Sequence, residues 1–260
     1  MWLPGFRRVR ARLRAPLLAS AWAATCLGVG LRSLAGEGGA GAVALPPTAL
    51  EFAGLTHYAA ANRALPPPAP GEHRVVFIGD SITEAWGDVA RDYFARRDRI
   101  NRGIGGQATP QMLLRFRQDV IALKPAAVHI LAGTNDVAGN VGPMDLETIE
   151  SNLASMAELA RANGIAVVLG SVLPASEFPW RRGLEPGPKI LALNDWLAAY
   201  ARQRDFVFVD YYAAMTDGAL GMRAALALDG VHPSPEGYRV MLPLAEAGIA
   251  AALRQGTQRR

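Results

Sequence analysis

Short, almost uninterrupted apolar runs alternate with longer amphipathic segments from about residue 74 to the end of the chain. Four of these runs are rich in β-branched and aliphatic residues, and a fifth, at 99–104, is weaker. They predict strands at 74–79, 99–104, 126–132, 165–172 and 206–211. Apolar residues at helical spacing predict helices at 84–96, 110–123, 146–163, 188–203 and 235–254. Nearly continuous apolar strands separated by helices indicate an α/β fold, a three-layer α/β/α sandwich around a five-stranded parallel sheet.

The first 71 residues have a different character. Residues 1–36 contain six arginines and no acidic residue, and an apolar run at 15–31 follows the arginine-rich start. This order is typical of an export signal peptide, although the run is close to the minimum length of a membrane span. We therefore predict an exported protein, periplasmic or secreted, with an N-terminal membrane anchor as the alternative. Residues 37–71 are predicted to be a linker with a short helix at 49–64, and residues 72–254 are predicted to form the main folded domain.

Charge and cysteine content narrow the class of protein. Without the six arginines of the leader, 21 basic residues face 23 acidic ones, so the basic excess belongs to the leader and no nucleic-acid partner is expected. Cys26 is the only cysteine and lies in the leader. A cleaved protein would therefore have no disulfide and no cysteine metal site, and lipidation of Cys26 stays open.

Polar, glycine-rich segments directly follow the first three predicted strands. They are Gly79-Asp80-Ser81, the segment 103–106, and Gly133-Thr134-Asn135-Asp136. The carboxyl ends of parallel strands share one edge of a sheet, where ligands bind in open α/β folds. We therefore expect these three segments to lie together on one rim.

Ester hydrolysis by serine requires a nucleophile, a base that contacts it, a group that orients the base, and donors for the oxyanion. Ser81 lies on a strand-to-helix turn and is the candidate nucleophile, although a serine there is also a common helix cap. His232 lies in a loop before the last predicted helix and is the candidate base. Asp229 is three residues before it and could orient its ring, or simply form a side-chain turn.

Candidate oxyanion donors come from the same rim. Asn135 could offer a side-chain N–H, and a glycine near 105 could offer a backbone N–H that no Cβ obstructs. Both residue types also dominate ordinary turns. Of the other histidines, His129 falls inside a predicted strand and is expected to be packed, and His57 and His73 lie outside the predicted core.

These motifs resemble the blocks of the SGNH hydrolases, also called GDSL esterases and lipases. The first block is similar to 79–83, the second to 101–106, the third to 133–136 and the last to 229–232. The resemblance implies a flavodoxin-like fold, a Ser81, Asp229 and His232 triad, and no metal or organic cofactor. It also implies an oxyanion hole of Ser81, Gly106 and Asn135, with Gly105 in place of Gly106 if the register differs by one.

The family hydrolyses carboxylic esters through an acyl-enzyme, and the resemblance implies a small-molecule or polysaccharide ester as substrate. The likeness to bacterial exported SGNH esterases favours short acyl groups, acetyl above all, on carbohydrate. A lysophospholipase or thioesterase for longer acyl chains is one alternative, and a non-catalytic carbohydrate-binding protein is another. Membrane contact is expected only through an uncleaved leader, and the sequence does not determine the oligomeric state.

The long connection at 173–188 is a candidate substrate loop. Aromatic side chains suit sugar faces and arginines suit anionic groups, so Phe178, Trp180 and Arg181 are the expected contacts. A solvated surface loop with one packed aromatic ring is the alternative.

Overall fold

A five-stranded, wholly parallel sheet organises the computed structural model, which describes residues 48–258. The strands are β1 (Val75–Gly79), β2 (Arg99–Gly103), β3 (Ala127–Leu131), β4 (Ala166–Gly170) and β5 (Val207–Val209). Their order across the sheet is β2-β1-β3-β4-β5, with every neighbouring pair parallel. The predicted fold class is therefore confirmed, and all five predicted strands are present.

Helices cover both faces of the sheet. Those before β3 are α1 (Ala49–Ala53), α2 (Ala59–Ala64), α3 (Ser81–Val89), α4 (Arg91–Phe94) and α5 (Thr109–Asp119). Those after it are α6 (Thr134–Ala138), α7 (Leu146–Ala162), α8 (Gly187–Arg204), α9 (Tyr211–Met215) and α10 (Pro235–Gln258). Among the described residues, no helix is both long and apolar enough to cross a membrane.

Alternate residues of the central strands point into two separate hydrophobic cores. Val76 and Ile78 of β1 lie in the core that α5, α7 and α8 cover, whereas Val75 and Phe77 lie in the core that α3, α9 and α10 cover. The side-chain period of two in a strand produces this division. Because both faces of the sheet are covered, β1, β3, β4 and β5 are mainly apolar, the pattern that predicted them from the sequence, whereas the edge strand β2 is more polar.

Several helix boundaries differ from the predicted ones. The predicted helix 84–96 begins earlier, at Ser81, and is interrupted at Ala90. The predicted helix 49–64 is two short helices, because Gly54 ends the first one in the left-handed conformation, with φ of 65°. The short helices α6 and α9 were not predicted, since five residues are too few to display a helical period.

The segment 48–65 packs against the domain. Its Ala53 carbonyl accepts a hydrogen bond from Gln107 Nε2 at 2.9 Å, and the Tyr58 hydroxyl donates to the carbonyl of Gly103. The compact unit that contains the sheet begins before residue 72, the predicted start of the domain. This part of the predicted linker is therefore packed structure, while the leader at 1–36 lies outside the described residues.

Candidate active site

The turn between β1 and α3 presents the candidate nucleophile. A Cβ on Gly79 would lie 2.1 Å from Thr83 Oγ1 and 2.5 Å from the carbonyl oxygen of Leu131, so only glycine fits this turn. Asp80 caps the helix, its Oδ1 accepting the N–H of Ile82 at 2.9 Å. Ser81 is thus not the cap, and its own N–H stands in the first turn, where helices have no internal acceptor.

Ser81, His232 and Asp229 form a hydrogen-bonded series. Ser81 Oγ lies 2.9 Å from His232 Nε2, and His232 Nδ1 lies 2.8 Å from Asp229 Oδ2. The other Asp229 oxygen accepts the backbone N–H groups of Val231 at 3.0 Å and His232 at 2.8 Å. Asp229 therefore forms a side-chain turn and contacts the imidazole at the same time, and the two interpretations of this residue are compatible.

The charges around His232 favour a basic imidazole. Burial opposes ionisation of Asp229, but its hydrogen bonds with His232 outweigh burial and lower the pKa of the carboxyl to about 2. Burial alone would also lower the pKa of His232, yet the hydrogen bond and negative charge of Asp229 raise it above its ordinary value. A carboxylate that stays ionised beside Nδ1 fixes the proton there and leaves Nε2 free to accept one from Ser81.

The two candidate glycines lie side by side in the loop after β2 but differ in their hydrogen bonds. The N–H of Gly105 donates to Glu84 Oε2 at 2.9 Å, so it is engaged within the protein. Gly106 has a φ of 75°, and its N–H has no acceptor among residues 48–258. A Cβ on Gly106 would meet nothing within 4 Å, so its surroundings are open. The geometry thus favours Gly106 over Gly105 as a donor to a bound ligand.

Asn135 lies in the first turn of α6, almost fully buried. Its Nδ2 donates to the carbonyl of Gln107 at 3.0 Å and more weakly to Asp80 Oδ2 at 3.3 Å, while its Oδ1 accepts from Asn140 Nδ2 at 2.7 Å. Burial raises the pKa of Asp80 to about 6, although the N–H of Ile82 opposes the shift. The Asn135 amide therefore faces the nucleophile turn, with its longer hydrogen bond directed at Asp80.

The candidate substrate loop has one side chain at the cleft. Trp180 is 39% exposed, and its ring centroid lies 6.0 Å from that of His232. Phe178 is fully buried beneath it, so the expectation that Phe178 contacts substrate is wrong. Arg181 donates to the carbonyls of Ala138 at 2.9 Å and Gly139 at 3.0 Å. These bonds attach the loop to the end of α6. The partners of Arg181 in the structure are therefore backbone carbonyls and not an anionic group.

Two other histidines behave differently from His232. His129 is fully buried in β3 with its Nε2 2.7 Å from the Tyr211 hydroxyl, and burial lowers its pKa to about 3, as expected of a packed residue. His57, predicted to lie outside the core, is partly exposed, with Nε2 4.0 Å from Glu84 Oε1. Within residues 48–258, no cluster of three or more His, Cys, Asp or Glu side chains is arranged to hold a metal ion.

Glu84, Gln107, Arg115 and Asn140 also contribute to the site but were not identified from the sequence. Each acts through a hydrogen bond to a residue of another segment, as Arg115 does in donating to Gln107 Oε1 at 2.6 Å and to the carbonyl of Gly79 at 3.0 Å. The signal that could have pointed to them was proximity to the glycine-rich segments, since Glu84 and Gln107 adjoin two of them.

Comparison with known proteins agrees with this geometry. Residues 77–240 match the model of the GDSL-like lipase/acylhydrolase family. A GDSL-like lipase from Bacteroides thetaiotaomicron has a similar crystal structure, with a TM-score of 0.76 and 48% sequence identity, covering 78% of this chain and 100% of that one.

Curated relatives include two esterases. Esterase TesA of Pseudomonas aeruginosa is 30% identical over 174 residues, which span 62% of this chain and 79% of the esterase. An acetylxylan esterase of Geobacillus stearothermophilus is 26% identical over 202 residues, spanning 65% and 90% of the two chains. These similarities extend over most of the described domain.

Proposed function

The chain belongs to the GDSL-like lipase/acylhydrolase family and is a carboxylic ester hydrolase; on that premise we propose that it removes short acyl groups, acetyl above all, from carbohydrate esters. We further propose that Ser81 is the nucleophile, His232 the general base and Asp229 the group that orients it. The observation that carries the proposal is the unbroken series Ser81 Oγ, His232 Nε2, His232 Nδ1 and Asp229 Oδ2, with contacts of 2.9 Å and 2.8 Å.

In the acylation step, Ser81 Oγ attacks the ester carbonyl while His232 Nε2 takes its proton. The carbonyl oxygen becomes an oxyanion that accepts hydrogen bonds from the N–H groups of Ser81 and Gly106 and from Asn135 Nδ2. His232 then gives its proton to the leaving alkoxide oxygen as the bond between carbon and that oxygen breaks. Asp229 remains ionised and stabilises the imidazolium throughout.

In the deacylation step, His232 removes a proton from water, and the resulting hydroxide equivalent attacks the acyl carbon. The second oxyanion uses the same donors, and collapse returns the proton to Ser81 Oγ as the acid departs. Oriented donors of this kind contribute a large share of the rate because they need no reorganisation during the reaction.

The carbohydrate part of the proposal is supported by the side of the cleft next to His232. Because His232 protonates the leaving oxygen, groups beside its ring contact the alcohol part of the ester. Trp180 is there, 39% exposed, and an aromatic side chain of this kind suits a sugar. The similarity to an acetylxylan esterase at 26% identity agrees with this substrate class.

An exposed leucine favours the second candidate, a lysophospholipase or thioesterase for longer acyl chains. Leu228 is 71% exposed next to Asp229, and its N–H donates to the carbonyl of His232 at 2.8 Å. An apolar side chain held at this position could contact an alkyl chain. A non-catalytic binding protein is not retained as an alternative, because the chain belongs to a family of acylhydrolases.

Hydrolysis of p-nitrophenyl esters tests the mechanism. We expect Ser81→Ala to abolish hydrolysis of p-nitrophenyl acetate, with an unchanged circular dichroism spectrum, because no other group would form the acyl-enzyme. Ser155→Ala is the matched control, since Ser155 only bonds the carbonyl of Ser151 on α7. Retention of activity by Ser81→Ala would contradict the assignment.

The same assay run over acyl length tests the substrate class. A sharp optimum at acetate, followed by release of acetate from acetylated xylan, is the expected result. Activity that persists with octanoate, and that falls when Leu228 is replaced by Ser, would favour the longer-chain alternative instead.

We propose that the protein is exported and that its N-terminal leader is removed. The order of an arginine-rich start and an apolar run supports this, and both lie outside the described residues. N-terminal sequencing of secreted or periplasmic protein should begin beyond Leu31. An intact leader recovered with membranes would support the anchored alternative.

A further inference from the structure

Three side chains hydrogen-bond in series between the candidate substrate loop and the candidate oxyanion hole. Trp180 Nε1 donates to Asn140 Oδ1 at 3.1 Å, and Asn140 Nδ2 donates to Asn135 Oδ1 at 2.7 Å. At the far end, Asn135 Nδ2 donates to the carbonyl of Gln107 and to Asp80. Every hydrogen bond in the series therefore runs in one direction, from the indole toward the nucleophile turn.

This direction matters because a carboxamide has two orientations that exchange its oxygen and its NH₂ group. An indole N–H can only donate, so Trp180 requires the oxygen of Asn140 on its side. The NH₂ group of Asn140 then faces Asn135 and requires the oxygen of Asn135. The NH₂ group of Asn135 is then on the side of Gln107 and of Asp80, the residue before Ser81.

The reversed orientation of Asn135 would be harmful to catalysis. Its oxygen would face the carbonyl of Gln107 and the carboxyl of Asp80, and it would repel an oxyanion instead of stabilising it. Asn135 is only 3% exposed, so water cannot readily replace a lost partner. Because an unsatisfied amide inside the protein is costly, the hydrogen-bond partners of Asn135 determine which way its amide is oriented.

The backbone holds Asn140 where the series needs it. The N–H of Asn140 donates to the carbonyl of Asn135 at 3.0 Å, and Gly139 ends α6 in the left-handed conformation, with φ of 70°. Arg181 binds the carbonyls of Ala138 and Gly139, which attaches the loop that carries Trp180 to the same turn. The loop and the turn are thus joined independently of the three side chains.

We propose that Asn140 and Trp180 are positioning residues that hold the Asn135 amide with its N–H toward the oxyanion. This inference rests on the proposed function, in which Asn135 is an oxyanion donor. Neither residue contacts the reacting atoms through this series. Both act through Asn135, so substitutions of either residue should lower kcat, and they should do so only when the Asn135 amide is present.

The decisive variant is Asn140→Asp, which keeps the shape of the side chain and still accepts from Trp180. It presents an oxygen to Asn135 Oδ1 and thereby favours the reversed amide. With p-nitrophenyl acetate we expect kcat to fall by roughly 10²–10³, close to the effect of Asn135→Ala, with little change in KM. Trp180→Phe keeps a ring but removes the donor, and we expect a smaller fall of about 2–10-fold in kcat.

The background of Asn135→Ala separates positioning from a general structural role. In that background Asn140→Asp should change kcat by less than about twofold, because the amide that it orients is absent. Asn163→Asp is the matched control, since the Asn163 side chain bonds the carbonyl of Leu159 at the end of α7, and it should retain the kcat of the wild type. Trp196→Phe is the corresponding control for the indole, since Trp196 stacks on Tyr200 of α8.

Several outcomes would overturn the proposal. They are a kcat of Asn140→Asp within twofold of the wild type, an equal fall in the Asn135→Ala background, or a rise in KM alone. If Asn140→Asp does not fold, the fall in kcat caused by Trp180→Phe can be compared between the wild type and the Asn135→Ala variant, because Trp180 is at an exposed position. Failure of the proposed function would be seen separately, as activity that survives Ser81→Ala.

Discussion

At the scale of single residues, the site depends on how a few side chains divide their hydrogen bonds. Asp80 caps α3 through Ile82, which leaves the Ser81 hydroxyl for His232. Asp229 uses one oxygen for the turn and the other for the imidazole. Each carboxylate accepts backbone N–H groups and leaves the candidate triad intact, so the structural and the proposed functional interpretations are compatible.

The pKa of His232 leads to a prediction at this scale. Since the folded pKa is raised above the ordinary value of 6.5, the neutral base that catalysis needs is lost as pH falls through that raised value. The acidic limb of the kcat/KM profile should therefore lie above pH 6.5. Asp229→Asn removes the main cause of the increase in the pKa of His232 and leaves only the smaller effect of Asp80. The limb should therefore move to lower pH while kcat falls by roughly 10⁴.

A pH-rate profile with p-nitrophenyl acetate measures both effects. Asp210→Asn is a suitable control, because Asp210 only caps α9 through the N–H of Ala213. An acidic limb that stays in place in Asp229→Asn would show that this carboxylate does not set the pKa of the base.

At the scale of elements, one buried arginine joins the pieces that form the rim. Arg115 of α5 is fully buried and binds Asp119 at 3.1 Å, the carbonyl of Gly79 at the end of β1, and the Gln107 side chain in the loop after β2. Asp119 in turn accepts from Asn62 of α2 at 2.6 Å. The helix, the strand end, the loop and the N-terminal segment are thus fixed to one another.

Replacement of this arginine should be costly. We expect Arg115→Met to lower the free energy of unfolding by about 3–5 kcal/mol, because it leaves the buried carboxylate of Asp119 without its charged partner. Urea denaturation followed by circular dichroism measures the change. Arg204→Met removes an ion pair of similar geometry, 2.7 Å to Glu158, at an exposed site and should cost less than about 1 kcal/mol. Equal effects of the two substitutions would contradict the role assigned to Arg115.

At the scale of the whole molecule, the parallel sheet brings together parts that are far apart in the sequence. The ends of β1, β2 and β3 supply Ser81, Gly106 and Asn135, and the loop before α10 adds Asp229 and His232. Helices cover both faces of the sheet, so the polar segments meet along the carboxyl edge. The packed segment 48–65 supports the loop after β2 from outside the predicted domain.

Local patterns were sufficient for the fold and for the main candidates in the site. Most of the strands and the amphipathic helices can each be predicted from a short stretch of sequence. Parallel connections between the strands then place the loops on one edge of the sheet. Helix limits were less certain, as at Ser81 and Gly54, because caps and single glycines decide them. The residues of the His232 turn were also visible, since Asp229 lies only three positions away.

The sequence by itself therefore determined the α/β sheet, the rim and the candidate nucleophile, base and orienting acid, all of which depend on short-range periodicity or spacing. Only the tertiary structure decided which glycine N–H is open, that Phe178 is buried, and that Trp180 reaches Asn135 through Asn140. Those facts depend on pairs such as Glu84 with Gly105 or Trp180 with Asn140, which lie 21 and 40 residues apart. No local pattern encodes such contacts, because they arise when separate loops are packed against each other at the end of the sheet.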